Sequence, residues 1–185
     1  MKRVSKWAGR WTSAVLLLLA CGGLTHLTVS QSATAMIPAA SLLEMLAGDV
    51  GFGSLVSFDL TQAQELKNQG VKREQIDSVK LQTLTLEITS PADGQDFTFL
   101  DSIVFLVDAP GQPQKEIAHG GPFTQGQKSV SLTLAAVELA PYAAASSMTF
   151  STAVKGRRPA NATTVAAKVV LGVDVNVAGL ITSGK

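Results

Sequence analysis

The chain has 185 residues, enough for one ordinary domain and a targeting segment. Hydrophobic residues make up 46% and aromatic residues only 5%, so a sizeable core is expected and it must be largely aliphatic. The net charge of +1 gives no electrostatic reason to expect a nucleic-acid partner, and the single cysteine excludes both an internal disulfide and a cysteine-rich zinc site.

The N-terminus has the composition of an export signal. Residues 1–13 are basic and contain no acidic residue, and a short apolar run from Ala14 to Ala20 follows them. This order of a basic segment and an apolar segment is typical of a secretory signal. Four basic residues lie in the first ten positions, so removal of the signal leaves eleven basic and fourteen acidic side chains, a net charge of −3.

The apolar run ends in Leu18-Leu19-Ala20-Cys21, followed by two glycines. This segment resembles the lipobox of bacterial lipoproteins, in which a leucine lies three positions before the cysteine and a small residue directly precedes it; Leu18, Ala20 and Cys21 match. The resemblance implies that residues 1–20 are removed and that Cys21 becomes an acylated N-terminus, carrying fatty acids such as palmitate. It also implies a bacterial cell-envelope protein, and Gly22 after the cysteine resembles lipoproteins sorted to the outer membrane.

Two other interpretations of the N-terminus remain open. Residues 33–35, Ala-Thr-Ala, have the spacing of an ordinary signal-peptidase site, and residues 14–29 are a candidate uncleaved anchor, although they are short for a span. The lipobox also accounts for the lone cysteine, because a free thiol outside the cytoplasm is prone to oxidation. Residues 21–40 are rich in Gly, Ser, Thr and Ala, and they predict a flexible tether.

Residues 41–185 are predicted to form one domain, which begins with two short helical segments and a strand. Residues 41–47 predict a helix that Ser41 caps and Gly48 ends. Residues 54–60 alternate between apolar and polar side chains, as a strand does. Two polar turns follow, at residues 62–68 and 72–77.

The middle of the domain is predicted to be a series of strands. Residues 79–89 predict a strand whose apolar phase shifts near Gln82, which indicates a β-bulge. The apolar run at residues 103–107 is short enough for a strand buried on both faces. The remaining predicted elements are an edge strand at residues 115–118, a strand at 129–134, a helical turn or crossover at 135–145 and a strand at 147–155.

Residues 164–177 carry the longest strand pattern in the sequence. Every odd position from Val165 to Val177 is apolar, which predicts a strand with one buried face. This strand is predicted to form a hairpin with the strand before it. About seven strands separated by Gly/Pro turns predict an all-β fold: a β-sandwich, either Ig-like or a distorted barrel, with short peripheral helices.

Two surface features are candidate binding sites. Arg157 and Arg158, beside Lys155, form the densest positive cluster, which suits an anionic lipid head or an acidic polymer. The same cluster is also typical of a plain solvated loop. Tyr142 is a candidate interface residue, although a ring at the domain edge with its hydroxyl in water is the commoner arrangement.

An acidic turn offers oxygen ligands for a cation. Asp93-Gly94-Gln95-Asp96, with Asp101 nearby, contains carboxylates and turn carbonyls of the kind that calcium prefers. The spacing does not follow the EF-hand pattern, so a turn that caps a strand end is favoured. The sequence predicts no metal site and no cofactor.

His119, which two glycines follow, is a candidate general base. It would need a nucleophile and an orienting carboxylate, and the sequence offers Ser129, Ser131, Asp101 and Asp108. No Gly-x-Ser-x-Gly motif frames either serine, so a solvated loop histidine is favoured and no catalytic residue is predicted.

The sequence therefore predicts a lipid-anchored cell-envelope protein that is not an enzyme. Its domain would be a binding or structural module, with the membrane and a protein of the envelope as partners. The alternative is a carrier of an apolar ligand or lipid, because Ala166, Ala167 and Gly172 are small enough to leave room between two sheets. A hydrolase is the least favoured interpretation and would depend on His119 or a pair of aspartates.

Overall fold

The computed structural model describes residues 24–40, 45–48 and 58–176. These ranges contain two short helices and nine strands. The helices are α1 (Gln64–Asn68) and α2 (Ala140–Ala143). The strands are β1 (Leu24–Ile37), β2 (Met45–Gly48), β3 (Ile76–Ser90), β4 (Leu100–Ala109), β5 (Gln112–Gly120), β6 (Ser129–Ser131), β7 (Thr133–Leu134), β8 (Thr149–Arg157) and β9 (Thr163–Asn176). Neither α1 nor α2 approaches the length and apolar character that a membrane-spanning helix requires.

The strands form two antiparallel sheets with the orders β1-β9-β3-β6 and β2-β8-β4-β5-β7. The pairs are nested: β1 with β9, β2 with β8, β3 with β6 and β4 with β5. This is the order of a jelly roll, in which one long hairpin folds over into two sheets. The predicted all-β sandwich with short peripheral helices is confirmed, in a jelly-roll order rather than an Ig-like one.

The core between the sheets is largely aliphatic, as the composition predicts. The apolar residues of β9 alternate with polar ones, and those that face the partner sheet are buried. Because β9 lies between β1 and β3, its backbone is hydrogen-bonded on both sides. The largest fully buried side chains include Phe97, Phe105, Leu84, Leu86, Ile117, Leu139, Met148 and Leu171.

Strand β1 corrects the prediction that residues 21–40 are a flexible tether. Leu24–Ile37 pairs with β9 along its whole length, from Leu24 opposite Asn176 to Ile37 opposite Thr163. The inward residues of this strand include two alanines, Ala33 and Ala35, and hydroxyl residues occupy the outer face. Small inward residues give weak hydropathy alternation, so the segment has the composition of a linker although it is a strand.

The predicted helix at residues 41–47 is also wrong where the structure describes it. Met45–Gly48 is strand β2, paired with β8 from Arg157 to Val154, while residues 41–44 lie outside the described ranges. Tertiary pairing has overridden a weak local helix preference here. Of the predicted strand at 54–60, only residues 58–60 are described: Phe58 bridges Met148, and Leu60 begins a 3-10 turn.

Several local predictions are confirmed. A β-bulge lies between Leu81 and Thr83 in β3, and short helices form at α1 and α2 within the predicted polar and alanine-rich segments. Strand β4 is buried less completely than predicted, because Val104 and Leu106 on its outer face are only half-buried.

Two predicted connections are wrong because consecutive segments belong to different sheets. Strands β8 and β9 do not form a hairpin, since β8 pairs with β2 and β4 whereas β9 pairs with β1 and β3. The single strand predicted at residues 129–134 is divided: β6 pairs with β3, β7 pairs with β5, and buried Leu132 lies between them. The chain therefore crosses from one sheet to the other at Leu132.

Candidate functional site

A polar cavity lies at the rim of the sandwich where the chain changes sheets. Its volume is about 360 Å³. Outward-facing residues of β6 and β7 meet the end of β5 and the loop at residues 121–128 there. The polar and aromatic side chains that line it are His119, Phe123, Gln127, Ser129, Ser131 and Thr133.

A carboxylate orients the histidine of this cavity. His119 Nδ1 lies 2.7 Å from Glu116 Oε1, and both side chains are about half exposed. Residues three apart in a regular strand face opposite sides, but Ile117 is an extra residue that has no counterpart in β4. This bulge turns Glu116 and His119 to the same outer face, while Ile117 and Ala118 are both buried.

The structure brings together part of the set that the sequence offered for acid–base chemistry. Ser129 and Ser131 share the cavity with His119, but the orienting carboxylate is Glu116 rather than Asp101 or Asp108. Within the described residues, no hydrogen bond joins His119 to either serine. The arrangement can donate and accept hydrogen bonds, but it does not hold a nucleophile against a base.

The loop at residues 121–128, which forms one wall of the cavity, is fixed at several points. Gly121 has φ of 110°, and a Cβ atom there would lie 2.3 Å from the Asp101 carbonyl oxygen, so only glycine fits without a shift. The Phe123 ring packs on buried Phe97 with centroids 5.6 Å apart. The Asp96 carboxylate accepts a 2.7 Å hydrogen bond from the Gly126 backbone N–H.

Asp96 has a structural role that accounts for the acidic turn. Besides Gly126, it accepts a hydrogen bond from the Thr98 backbone N–H and caps the 3-10 turn at Phe97–Phe99. The Gly126 bond first, and then those from Thr98, hold the pKa of Asp96 below its usual value. Asp93 lies 3.4 Å from the Lys128 ammonium group. The part of the chain that the structure describes contains no group of three His, Cys, Asp or Glu side chains placed to hold a metal ion.

The two arginines lie far from the start of β1. Arg157 ends β8, and Pro159, which follows Arg158, accepts a 3.1 Å hydrogen bond from the Ala40 backbone N–H. They therefore lie at the Ile37 end of β1. The side chains of Lys155 and Arg157 are exposed, and that of Arg158 is half-buried.

Tyr142 is not a surface anchor. Its side chain is 2% exposed, and its hydroxyl donates a 2.6 Å hydrogen bond to the Pro113 carbonyl oxygen. Helix α2 packs on β3 and β4, and this packing places the ring inside the domain. Both the interface interpretation and the expectation of a hydroxyl in water are corrected.

A second histidine cluster was missed at the sequence level. His26 Nδ1 lies 2.7 Å from Asp174 Oδ1, and its Nε2 lies 3.1 Å from Gln82 Nε2, so three strands contribute one side chain each. Gly172 lies beneath them, and a Cβ atom at this position would lie 2.4 Å from Gln82 Nε2. The sequence signal for this cluster was the weak apolar–polar alternation of β1. Because this segment was predicted to be a flexible tether, His26 was not expected to lie in a sheet.

The small residues proposed to open a carrier cavity do not all face the core. Ala167 is fully buried there, whereas Ala166 lies on the outer face and Gly172 is covered by Gln82 and His26. A more apolar cavity of about 350 Å³ lies instead at the edge of β3. It is lined by Lys80, Leu81, Ala135, Ala136, Val137 and Glu138.

No protein-family model matches the chain, and no curated protein matches it. Two solved structures of BFDV capsid protein are similar to it. The 60-mer form has 13% sequence identity and a TM-score of 0.43, over 84% of this chain and 95% of that chain. The decameric form has 12% identity and a TM-score of 0.44, over 82% of this chain and 98% of that chain. At these values the similarity adds no argument about function.

Proposed function

We propose that the protein is a bacterial cell-envelope lipoprotein, anchored in the membrane through Cys21, and that its β-sandwich is a non-enzymatic binding or structural module. One observation carries this proposal: strand β1 begins at Leu24, three positions after the cysteine of the lipobox. No nucleic-acid partner is proposed.

The position of β1 supports one of the three interpretations of the N-terminus over the other two. Cleavage before Cys21 removes residues 1–20 and leaves β1 whole. Cleavage after Ala35 would remove twelve of its fourteen residues, with them buried Val29 and Ala33, and would leave one side of β9 without its partner. An uncleaved anchor at residues 14–29 would place Leu24 to Val29 in the membrane, although the same residues form part of the sheet. Lipobox processing keeps the complete sandwich, and this supports it over the two other interpretations.

An anchor at Cys21 also gives the domain an orientation. Only Gly22 and Gly23 separate the cysteine from β1, so the Leu24 end of the sandwich would lie against the membrane. Thirteen residue steps separate that end from Ile37, about 43 Å at the usual rise of a strand. Arg157 and Arg158 would then face away from the anchoring membrane, towards an acidic polymer or a protein partner.

The rim cavity supports a binding role over a catalytic one. A general base needs a reacting group within hydrogen-bond distance, and His119 has only the Glu116 carboxylate as a partner among the described residues. An exposed histidine and carboxylate with free hydroxyls beside them suit the recognition of a polar ligand.

Fatty-acid labelling tests the anchor directly. The full-length protein and Cys21→Ala are expressed in a bacterium that processes lipoproteins and is fed an alkyne analogue of palmitate. The wild-type protein is expected to incorporate the label, and Cys21→Ala to incorporate none. Equal labelling of both, or an unlabelled wild type beside a labelled resident lipoprotein, contradicts the proposal.

A further inference from the structure

We infer that the rim cavity of His119, Phe123, Gln127, Ser129, Ser131 and Thr133 binds a short, uncharged oligosaccharide. The inference rests on the proposal that the sandwich is a binding module, and it names the class of ligand. It is carried by the chemistry of the lining, by hydrogen-bonding groups that have no partner among the described residues, and by the contacts that hold the walls in place.

The lining is polar and carries almost no formal charge. Among the described residues, none of the side chains that line the cavity is Lys, Arg, Asp or Glu, and the nearby Glu116 carboxylate is engaged by His119. A phosphate or an acidic polymer would find no cation to neutralise it there. An acyl chain would leave the hydroxyls without hydrogen bonds, which is costly. A neutral polyhydroxyl ligand needs no cation and can form hydrogen bonds with the hydroxyls of the lining.

Several residues of the lining carry hydrogen-bonding groups that have no partner among the described residues. These groups are Nε2 of His119, Nε2 of Gln127 and the hydroxyls of Ser129, Ser131 and Thr133. Gln127 is held in place because its Oε1 accepts a 3.1 Å bond from the Thr124 backbone N–H, so its amide group is already oriented. Fixed amide, imidazole and hydroxyl groups are suited to bind the hydroxyl rim of a sugar ring.

Phe123 supplies the apolar element that a sugar ring also requires. Its ring is half-buried, packs on Phe97 from behind and borders the cavity above Gly120. One face of a pyranose ring presents C–H groups, and these pack well on the electron-rich face of an aromatic ring. The volume of about 360 Å³ lies at the small end for ligand cavities, which suits a short saccharide.

Contacts within the walls hold these groups in position before a ligand arrives. Gly121 fits against the Asp101 carbonyl, Asp96 holds Gly126, and Phe97 supports Phe123. A site that is already ordered loses less conformational entropy when its ligand binds.

Ligand-detected saturation-transfer NMR tests the inference on the full-length protein in a detergent without a sugar headgroup. The probes are two neutral tetrasaccharides, chitotetraose and maltotetraose, together with decanoate and an anionic heparin tetrasaccharide. The variants are Gln127→Ala, Ser131→Ala and Phe123→Leu. The matched control is His26→Ala, which removes the other exposed histidine that lies 2.7 Å from a carboxylate.

We expect saturation transfer to the ring protons of at least one neutral tetrasaccharide. Gln127→Ala should raise the Kd by about tenfold, as expected for the loss of one well-placed hydrogen bond. Ser131→Ala and Phe123→Leu should weaken binding by about three- to tenfold. His26→Ala should bind as the wild type does.

Three results would overturn the inference: no transfer to either neutral tetrasaccharide, transfer only to decanoate or to the anionic saccharide, or equal losses in His26→Ala and Gln127→Ala. The fatty-acid label is measured on the same preparations. If the protein is labelled but binds no saccharide, the ligand class is refuted and the lipid anchor is supported. If it binds saccharide but is not labelled, the lipid anchor is refuted and the ligand class is supported.

Discussion

The centre of the four-stranded sheet and the rim at β5, β6 and β7 are held together in different ways. Strand β9 forms long ladders with β1 and with β3, the latter interrupted by bulges, and surface side chains such as His26, Asp174 and Gln82 bond to one another. At the rim the backbone is irregular, and side chains such as Gln127 retain hydrogen-bonding groups that no described residue satisfies. The long ladders stabilise the fold, and the hydrogen-bonding groups left over at the rim are what its proposed binding role requires.

The irregular segments are attached by carboxylates that accept backbone hydrogen bonds. Asp59 accepts from the Thr61 backbone N–H, and Asp96 from that of Gly126. Glu138 accepts from the backbone N–H groups of Val79 and Ala140. These bonds satisfy backbone groups that no strand reaches, so the loops depend on charged side chains where the central sheet depends on its ladder.

The largest expected loss of stability comes from removing a buried side chain at the centre of the sheet. Leu171 in β9 is 1% exposed, and Leu171→Ala should lower the free energy of unfolding by about 3 kcal/mol. Its neighbour Val170 lies on the outer face and is half-buried, so Val170→Ala should cost about 1 kcal/mol or less. Urea unfolding measures both, and equal losses would contradict the assigned faces of β9.

The next largest loss of stability is expected when one of the carboxylates that attach the loops is removed. Glu138 also accepts a 2.8 Å bond from the Ser78 hydroxyl, besides bonds of 2.7 and 3.0 Å from Val79 and Ala140. Glu138→Ala should therefore cost about 2 kcal/mol, because it leaves a buried backbone N–H group without a partner. Glu87→Ala, on the exposed outer face of β3, is the control and should change stability by less than about 0.5 kcal/mol. Similar urea midpoints for the two variants would contradict this role of Glu138.

A smaller loss of stability is expected at low pH. At Asp59 and Glu138 burial opposes ionisation, but the hydrogen bonds they accept outweigh it and lower the pKa; at Asp96 the Gly126 bond dominates and lowers the pKa. A carboxyl group with a lowered folded-state pKa stabilises the fold fully above its unfolded value, here 3.8 for Asp and 4.5 for Glu. That contribution disappears as the pH falls through the lowered pKa. The stability of the fold should thus decrease as the pH is lowered below about 4.5, and it should decrease less steeply in Asp96→Asn. A series of thermal melts at different pH values measures this, and equal slopes for the wild type and Asp96→Asn would contradict the role of Asp96.

The smallest effects compare the two histidines. His26 joins three strands through both ring nitrogens, so His26→Ala should cost about 0.5–1 kcal/mol. Within the part of the chain that the structure describes, His119 bonds only to Glu116 on its own strand, and His119→Ala should cost less than about 0.5 kcal/mol. A larger loss for His119→Ala in urea unfolding would mean that the rim supports the fold more than its contacts indicate.

Local pattern was sufficient for part of this fold. The alternation along β9 predicts both the strand and its buried face, and the phase shift near Gln82 predicts the bulge in β3. Both features follow from which side of one strand is apolar, so neither requires knowledge of the partner strand.

The remaining features depend on contacts between distant segments. Nothing local indicates that β8 and β9 lie in different sheets, or that a linker-like segment is a strand because β9 lies beside it. The rim cavity likewise depends on the crossing at Leu132 and on the bulge at Ile117, which brings Glu116 and His119 to one face. The sequence singled out His119, Ser129 and Ser131, but only the folded chain pairs the histidine with its carboxylate.

Lipid anchoring through Cys21 is tested by the mass of the mature N-terminal peptide, taken from the membrane fraction of a lipoprotein-processing bacterium. This peptide is expected to begin at Cys21, to carry acyl groups and to retain the whole of Leu24–Ile37. A mature chain that begins at Met36, or one that still carries residues 1–20, would contradict it.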